Sequence, residues 1–274
     1  MPSASRTAPN RNVKKSGGHT LLRFFIVVAV VAVLGIGGAV LYYSDLFGVE
    51  SVSVSGVSHL TASEMTSLAA VPSNTTLLRV DASGIESRLK TNPWVESANV
   101  NRQFPHTLEL AITERTIQAV VTITSTDGQA SENWAIASDG MWLMKIPDQD
   151  SDQAKNVSSQ VYEDAQSVLH ITGVPYGVRP QEGAYCTDAS VTNALNIVSG
   201  LTTDLANQVC TVSATDSANT ILTLDNGVQI AFGTAEDIRS KERICIELMG
   251  QYPDSIAYIN VRVVERPTWR ALES

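Results

Sequence analysis

Few of the residues that build active sites and metal centres are present. Four histidines and three cysteines are spread through 274 residues. His19, His59, His106 and His170 lie tens of residues apart, and Cys186, Cys210 and Cys245 show no paired spacing, so neither set reads as a zinc or other metal site. No glycine-rich phosphate loop occurs, and no repeat of solenoid period. Basic residues are scarce beyond Arg23. The chain carries 19 in all, and removing the five of residues 1–23 leaves 14 against 28 acidic residues, a balance near −14. So acidic a remainder excludes nucleic acid and anionic head groups as ligands of that part. Acidic residues are in turn missing from the start: none precedes Asp45.

Long apolar runs are missing too, with one exception. Phe24 to Tyr43 is an unbroken stretch of 20 uncharged, mostly aliphatic residues. As a helix it would span ~30 Å, the thickness of a bilayer's hydrocarbon core. A cleaved secretory signal has a shorter apolar core and a small-x-small cleavage site. This run instead ends in Leu41-Tyr42-Tyr43, with aromatics at interfacial depth, so an uncleaved single-pass anchor is expected. Arg6, Arg11, Lys14, Lys15 and Arg23 precede it; Asp45 and Glu50 follow. That bias places a basic, Ser/Thr/Pro-rich tail (1–23) in the cytoplasm and residues 44–274 outside the cell membrane. Outside, disulfides can form, and three cysteines permit one intramolecular bridge. Cys245 falls on the apolar face of a predicted helix with Ile238 and Leu248, which leaves Cys186 and Cys210 as the candidate pair.

The exported part reads as α+β in two units. Residues 46–115 alternate apolar and polar over 49–57. A helix opens next at the Thr61/Glu64 capping box, with Leu60 and Met65 placed as a hydrophobic staple. A second box at Ser83/Glu86 opens another helix, which Asn92-Pro93 ends. Strands over 94–100 and 107–113 complete a β-α-α-β-β order. Residues 116–267 read as mainly β, with strands near 117–124, 133–137, 141–146, 208–214, 219–224, 227–232 and 256–264. Asp127-Gly128, Asp139-Gly140 and Asn226-Gly227 mark turns. Two helices are expected, near 188–202 and 235–251. The polar, aperiodic stretch 148–166 reads as an exposed loop, and 268–274 as a C-terminal tail.

Catalytic chemistry is hard to place. Ser87-Arg88-Leu89-Lys90 spells S-x-x-K and Ser97-Ala98-Asn99 spells S-x-N, but the Lys-Thr/Ser-Gly element of penicillin-binding enzymes is missing. Ser87 reads as a residue on a helix surface. No cofactor, small-molecule substrate or catalytic residue is expected.

One stretch carries a family signature: Pro93-Trp94-Val95, Ala98, Val100, Arg102, Pro105, Thr107-Leu108 and Glu114-Arg115. Leu224-Asp225-Asn226-Gly227, Gly233, Lys241 and Tyr258-Ile259-Asn260-Val261-Arg262 continue it. The chain resembles the FtsQ/DivIB cell-division proteins, with the same layout of basic tail, single span, POTRA domain and larger β domain. It departs from the usual pattern at Asn260, where Asp is commoner, and at Ile117, near a usual Pro. The resemblance implies a non-enzymatic scaffold at the division septum, recruiting the single-span proteins FtsB and FtsL and, through them, the septal peptidoglycan synthesis machinery. An exported cell-wall enzyme and a POTRA-type polypeptide chaperone are the rival classes.

The strand 256–264 is the candidate binding surface. Ala257, Ile259, Val261 and Val263 are expected to face the core, and Tyr258, Asn260, Arg262 and Val264 a partner. A last strand at a sheet edge can take an added strand. The resemblance puts Tyr258 and Arg262 in the family's Y-x-D-x-R block, with Val263 after it. Trp269, in the tail, is a candidate interface anchor.

Overall fold

A computed structural model of the chain describes residues 18–124 and 131–272. The four basic residues Arg6, Arg11, Lys14 and Lys15 and the Asp127-Gly128 turn lie outside the described residues. Helix α1 (Gly18–Tyr43) contains the apolar run, and over Leu22–Tyr43 nothing among the described residues buries it. A helix of this length, apolar on every side and unburied, fits a bilayer and not a protein core.

Next come β1 (Ser51–Ser55), α2 (Ala62–Ala69), α3 (Ala82–Leu89), β2 (Val95–Gln103) and β3 (Thr107–Glu114). The chain order is the expected β-α-α-β-β. The sheet order is β1-β3-β2, with β1 parallel and β2 antiparallel to β3. Half of the first box forms: the Glu64 amide donates to Thr61 Oγ1 at 3.2 Å, while the Glu64 carboxylate accepts from Asn92 at 3.4 Å, and Leu60 and Met65 are buried. The second does not. Asp81 caps α3 by accepting from the Gly84 amide at 3.0 Å, and Glu86 accepts from the Val100 amide at 3.0 Å instead of reaching back to Ser83. Arg102 ties the loop between the helices to the sheet by donating to the carbonyls of Leu77 (2.6 Å) and Val80 (3.2 Å).

The remaining elements are β4 (Ile117–Thr124), β5 (Ser131–Ala137), β6 (Trp142–Ile146), α4 (Ser159–Ser167), β7 (Leu169–Thr172), α5 (Ala189–Gly200) and α6 (Thr203–Ala206). After these come β8 (Val209–Ala214), β9 (Thr220–Leu224), β10 (Gln229–Gly233), α7 (Ile238–Gln251), β11 (Ile256–Asn260) and β12 (Thr268–Ala271). The strands form one nine-stranded sheet ordered β12-β11-β10-β9-β8-β7-β4-β5-β6. Helices α5 and α7 pack on one face, where Val191, Leu195 and Cys245 meet Val212, Ile230 and Ile259.

Several expectations are corrected here. The stretch 148–166 is not a simple loop, since it holds a short 3-10 turn and most of α4. Strand β7, between β4 and β8, was not anticipated. The strand expected over 256–264 stops at Asn260, and Val263, read as core, is 54% exposed. The stretch 268–274 is no free tail: β12 pairs antiparallel with β11, Trp269 opposite Ile259. All three thiols are free, so the Cys186–Cys210 pairing is not formed. Cys186 packs against the helix-covered core, whereas Cys210 is exposed beside a bulge in β8 and lies outside that core. Cys245 is buried as expected, and burial pushes its thiol up to about 12.

The two sheets meet around His59, which reads in sequence as a turn or surface residue. Its ring is buried and stacked on Trp94, with centroids 4.4 Å apart. Nδ1 lies 2.8 Å from Glu114 of β3, and Nε2 lies 2.9 Å from Asp164 of α4. Glu114 also accepts the amides of Ser58, His59 and Leu60. Arg115 donates to the carbonyls of Pro93 (2.9 Å) and Val95 (2.7 Å) and to Asp139 at 3.0 Å.

Candidate functional site

The sequence-predicted residues collect at one end of the nine-stranded sheet. Parallel pairing of β10 with β11 places β11 inside the sheet, Tyr258 opposite Gln229. Its other neighbour is β12, which pairs with nothing further among the described residues. The edge is therefore β12 and not the 256–264 segment. Because the Leu272 amide donates inward to Ser255 at 2.9 Å, alternation turns the amides and carbonyls of Trp269 and Ala271 outward. All four β12 side chains are exposed.

Each predicted residue has an identifiable position on this edge. Tyr258 is half-buried, and the Arg270 guanidinium lies over its ring, 5.4 Å from the centroid. Asn260 turns its side-chain oxygen back to accept the Arg262 amide at 3.2 Å. This local bond closes the strand at the start of the turn over 261–267. Arg262 is exposed, donates to Asn219, and runs its stem past Gly233, where a Cβ would come within 3.0 Å of the arginine Cγ. Gly233 has φ of 77°, so the bulge there needs glycine on both counts. Val263 is exposed and Val264 half-buried, both in the turn and not in a strand. Trp269 is on the opposite face of β12 from Arg270 and rests on Tyr252 at the end of α7, centroids 4.6 Å apart. It is 38% exposed, so part of its surface is already used within the chain.

Two features of the site escaped the sequence reading. One is Arg270, exposed on β12, with Arg262 and Arg266 in the preceding turn, Glu265 between those two in sequence and Asp254 just before β11. The other is β12 itself. Its signal was a Pro followed by Thr-Trp, since proline is tolerated at a strand's start and both followers favour strands. Elsewhere, the buried Lys241 donates to the Thr234 carbonyl at 2.8 Å and lies 5.2 Å from the Phe232 ring centroid, and burial lowers its pKa. That lysine closes the β10–α7 connection, with its charge satisfied internally.

Comparison with known proteins decides the family. The family described as "POTRA domain, FtsQ-type" matches residues 47–115, and "Cell division protein FtsQ/DivIB, C-terminal" matches residues 154–262. The chain belongs to the FtsQ/DivIB family of cell division proteins. The cell division protein FtsQ of Streptomyces collinus is 30% identical over 244 residues, covering 86% of this chain and 84% of the relative. That of Streptomyces coelicolor is 28% identical over 250 residues, covering 90% and 87%. That of Geobacter sp. (strain M21) reaches 37% over a shorter stretch of 105 residues, 37% of this chain and 38% of the relative. The FtsQ/DivIB signature residues thereby acquire physical roles: Trp94, Glu114 and Arg115 form the junction between the sheets, and Arg102 pins the loop between α2 and α3.

Proposed function

We propose that this FtsQ/DivIB-family chain is a non-enzymatic, single-pass scaffold of the bacterial divisome. Its N-terminus is cytoplasmic and residues 44–274 are extracytoplasmic, at the division septum. It holds single-span division proteins of the FtsB and FtsL type and links them to the septal peptidoglycan synthesis machinery. The observation that carries this reading is the uncovered edge of β12, with the outward backbone groups of Trp269 and Ala271 in line for an added strand. Arg270, exposed on the edge strand, favours an Asp or Glu on the segment added beside it. Units of 46–115 for the POTRA domain and 116–267 for the β domain, the latter extended by β12, serve that role: the first seats the chain and the second presents the edge.

An exported enzyme has less support. The hydroxyl of Ser87 is exposed on α3 and donates to the Ser83 carbonyl at 2.8 Å, an ordinary helix-surface bond. A polypeptide-binding chaperone would carry several POTRA modules, whereas the family match covers one, at residues 47–115.

Ala271→Pro tests the edge. It removes an outward amide without breaking the β11–β12 ladder, so the chain should fold while capture of the FtsB-type partner from detergent extract is lost. Arg270→Glu should weaken capture in the same assay. Normal capture by a folded Ala271→Pro chain, judged by circular dichroism, would move the partner surface elsewhere.

A further inference from the structure

Two exposed apolar side chains and one half-buried ring lie where α1 ends. Leu46 is 58% exposed and Phe104, at the tip of the β2–β3 hairpin, is 53% exposed. Phe47, next to Leu46 in the chain, is half-buried, its ring edge-on to Phe104 with centroids 5.1 Å apart. Phe104 is far from Leu46 and Phe47 in sequence, and the fold brings its ring against Phe47. That spot is held to the POTRA module by several bonds. The Leu77 amide donates to the Phe47 carbonyl at 2.8 Å, the Val49 amide to Thr75 at 3.1 Å, and the Glu50 amide to His106 at 3.0 Å. On the membrane side, the Ser44 amide continues the α1 ladder to Val40 at 2.9 Å. Helix, 3-10 turn and hairpin tip therefore form one connected piece, without a free linker.

Distance decides what covers the patch. Leu46 is three residue steps beyond Tyr43, which permits at most ~11 Å even if fully extended. The head-group layer outside the hydrocarbon core is about 5–8 Å thick on each side. Leu46 is therefore within reach of the acyl boundary of whichever bilayer α1 crosses, and the ring contact carries Phe104 with it. The nearby charge is compensated where it matters: Asp45 pairs with Arg79 at 3.1 Å.

We propose that Leu46, Phe47 and Phe104 form a seat that dips into the outer boundary of the bilayer crossed by α1 and holds the POTRA module against the membrane. This rests on α1 being a span. The occupant is the lipid surface, engaged by apolar burial and not by charge. Seating fixes the height and tilt of the module, and so of the nine-stranded sheet packed on it at His59, relative to the membrane.

The chain's five phenylalanines supply the test without any substitution. The full-length protein, ring-labelled on phenylalanine, is placed in nanodiscs of phosphatidylcholine containing a lipid with a nitroxide at the top of its acyl chain. Phe24 and Phe25 report whether α1 is inserted, and Phe232, buried in the β domain, is the unaffected reference. Loss of the Phe47 and Phe104 ring signals together with those of Phe24 and Phe25, unchanged at high salt, is expected. Sharp Phe47 and Phe104 signals beside broadened Phe24 and Phe25 would overturn the seat while leaving the span intact. Sharp Phe24 and Phe25 signals would overturn the span, and the seat with it. Broadening of the hairpin rings that disappears with salt would show charge steering and also refute the apolar seat.

Discussion

Single residues at the junction hold more than their sequence contexts indicate. Burial opposes ionisation of Glu114, but the amides of His59 and Leu60, the His59 ring and the Ser58 amide outweigh it, so its carboxyl sits below the usual carboxylate range. The sign follows from linkage. A carboxyl lowered on folding adds stability that is fully present above its unfolded value and is lost as pH falls through the folded one. Glu114→Gln should therefore flatten the acid limb of stability against pH, measured by denaturant unfolding from neutral pH downward. At neutral pH it should cost about 1–3 kcal/mol through poorer acceptance of three backbone amides. An unchanged acid limb would show that Glu114 is not the group responsible. His59 was misread for a physical reason: its second carboxylate, Asp164, is 105 residues away, and no local pattern encodes that distance. Trp94 was legible as a core residue, yet its stacking on His59 was not. Cys186 and Cys210 became a candidate pair by elimination, which carries no information on which side of a sheet each thiol falls.

Elements were legible where periodicity was long and caps were local. The β-α-α-β-β run, the hairpin at Asn226-Gly227 and helices α5 and α7 follow from alternation, capping and apolar stripes. Helix α4 was hidden because its buried stripe is only Val161 and Ala165, too short to stand out from polar surroundings. Valine spacing continues from Val261 through Val263, so the pattern ran on as one strand, although the backbone turns after Asn260. That error displaced the expected edge by one strand and turned β12 into a tail. No side chain of β12 is fully buried, and its largest apolar contact is Trp269, 38% exposed, resting on Tyr252. Ending the chain at Arg266 should leave the rest folded at the cost of the Trp269–Tyr252 contact and a few ladder hydrogen bonds, the latter each worth about 0.5–1.5 kcal/mol, with a lower Tm. It should also uncover β11 as a new edge and promote self-association, read by light scattering. Failure of the shortened chain to fold would place β12 in the core.

At the scale of the whole molecule, the two sheets do not have separate interiors. Ala135 and Ala137 of β5, Leu143 of β6 and Val161 of α4 belong to the same apolar cluster as Leu89, Trp94 and Ile112 of the POTRA module. The opposite side of β5 and β6 sends Trp134, Ile136 and Trp142 into the core under α5 and α7. One hairpin thus serves two cores, and the Glu114–His59–Asp164 chain of contacts and the Arg115–Asp139 pair close its rim. The β12 edge proposed to take a partner and the POTRA module then share packed interiors across one hairpin, so on that proposal where the POTRA module rests determines where β12 is presented. The consequence is measurable across the junction. Leu143 is 1% exposed and lies outside the POTRA sequence. Leu143→Ala should cost about 2–5 kcal/mol, as a cavity in a packed interior does. That loss should appear as faster amide exchange in β2 and β3, none of whose residues is altered, as well as in β5 and β6. Faster exchange confined to β5 and β6, with β2 and β3 protected as before, would show two modules that unfold independently and a presentation edge that swings freely of the membrane.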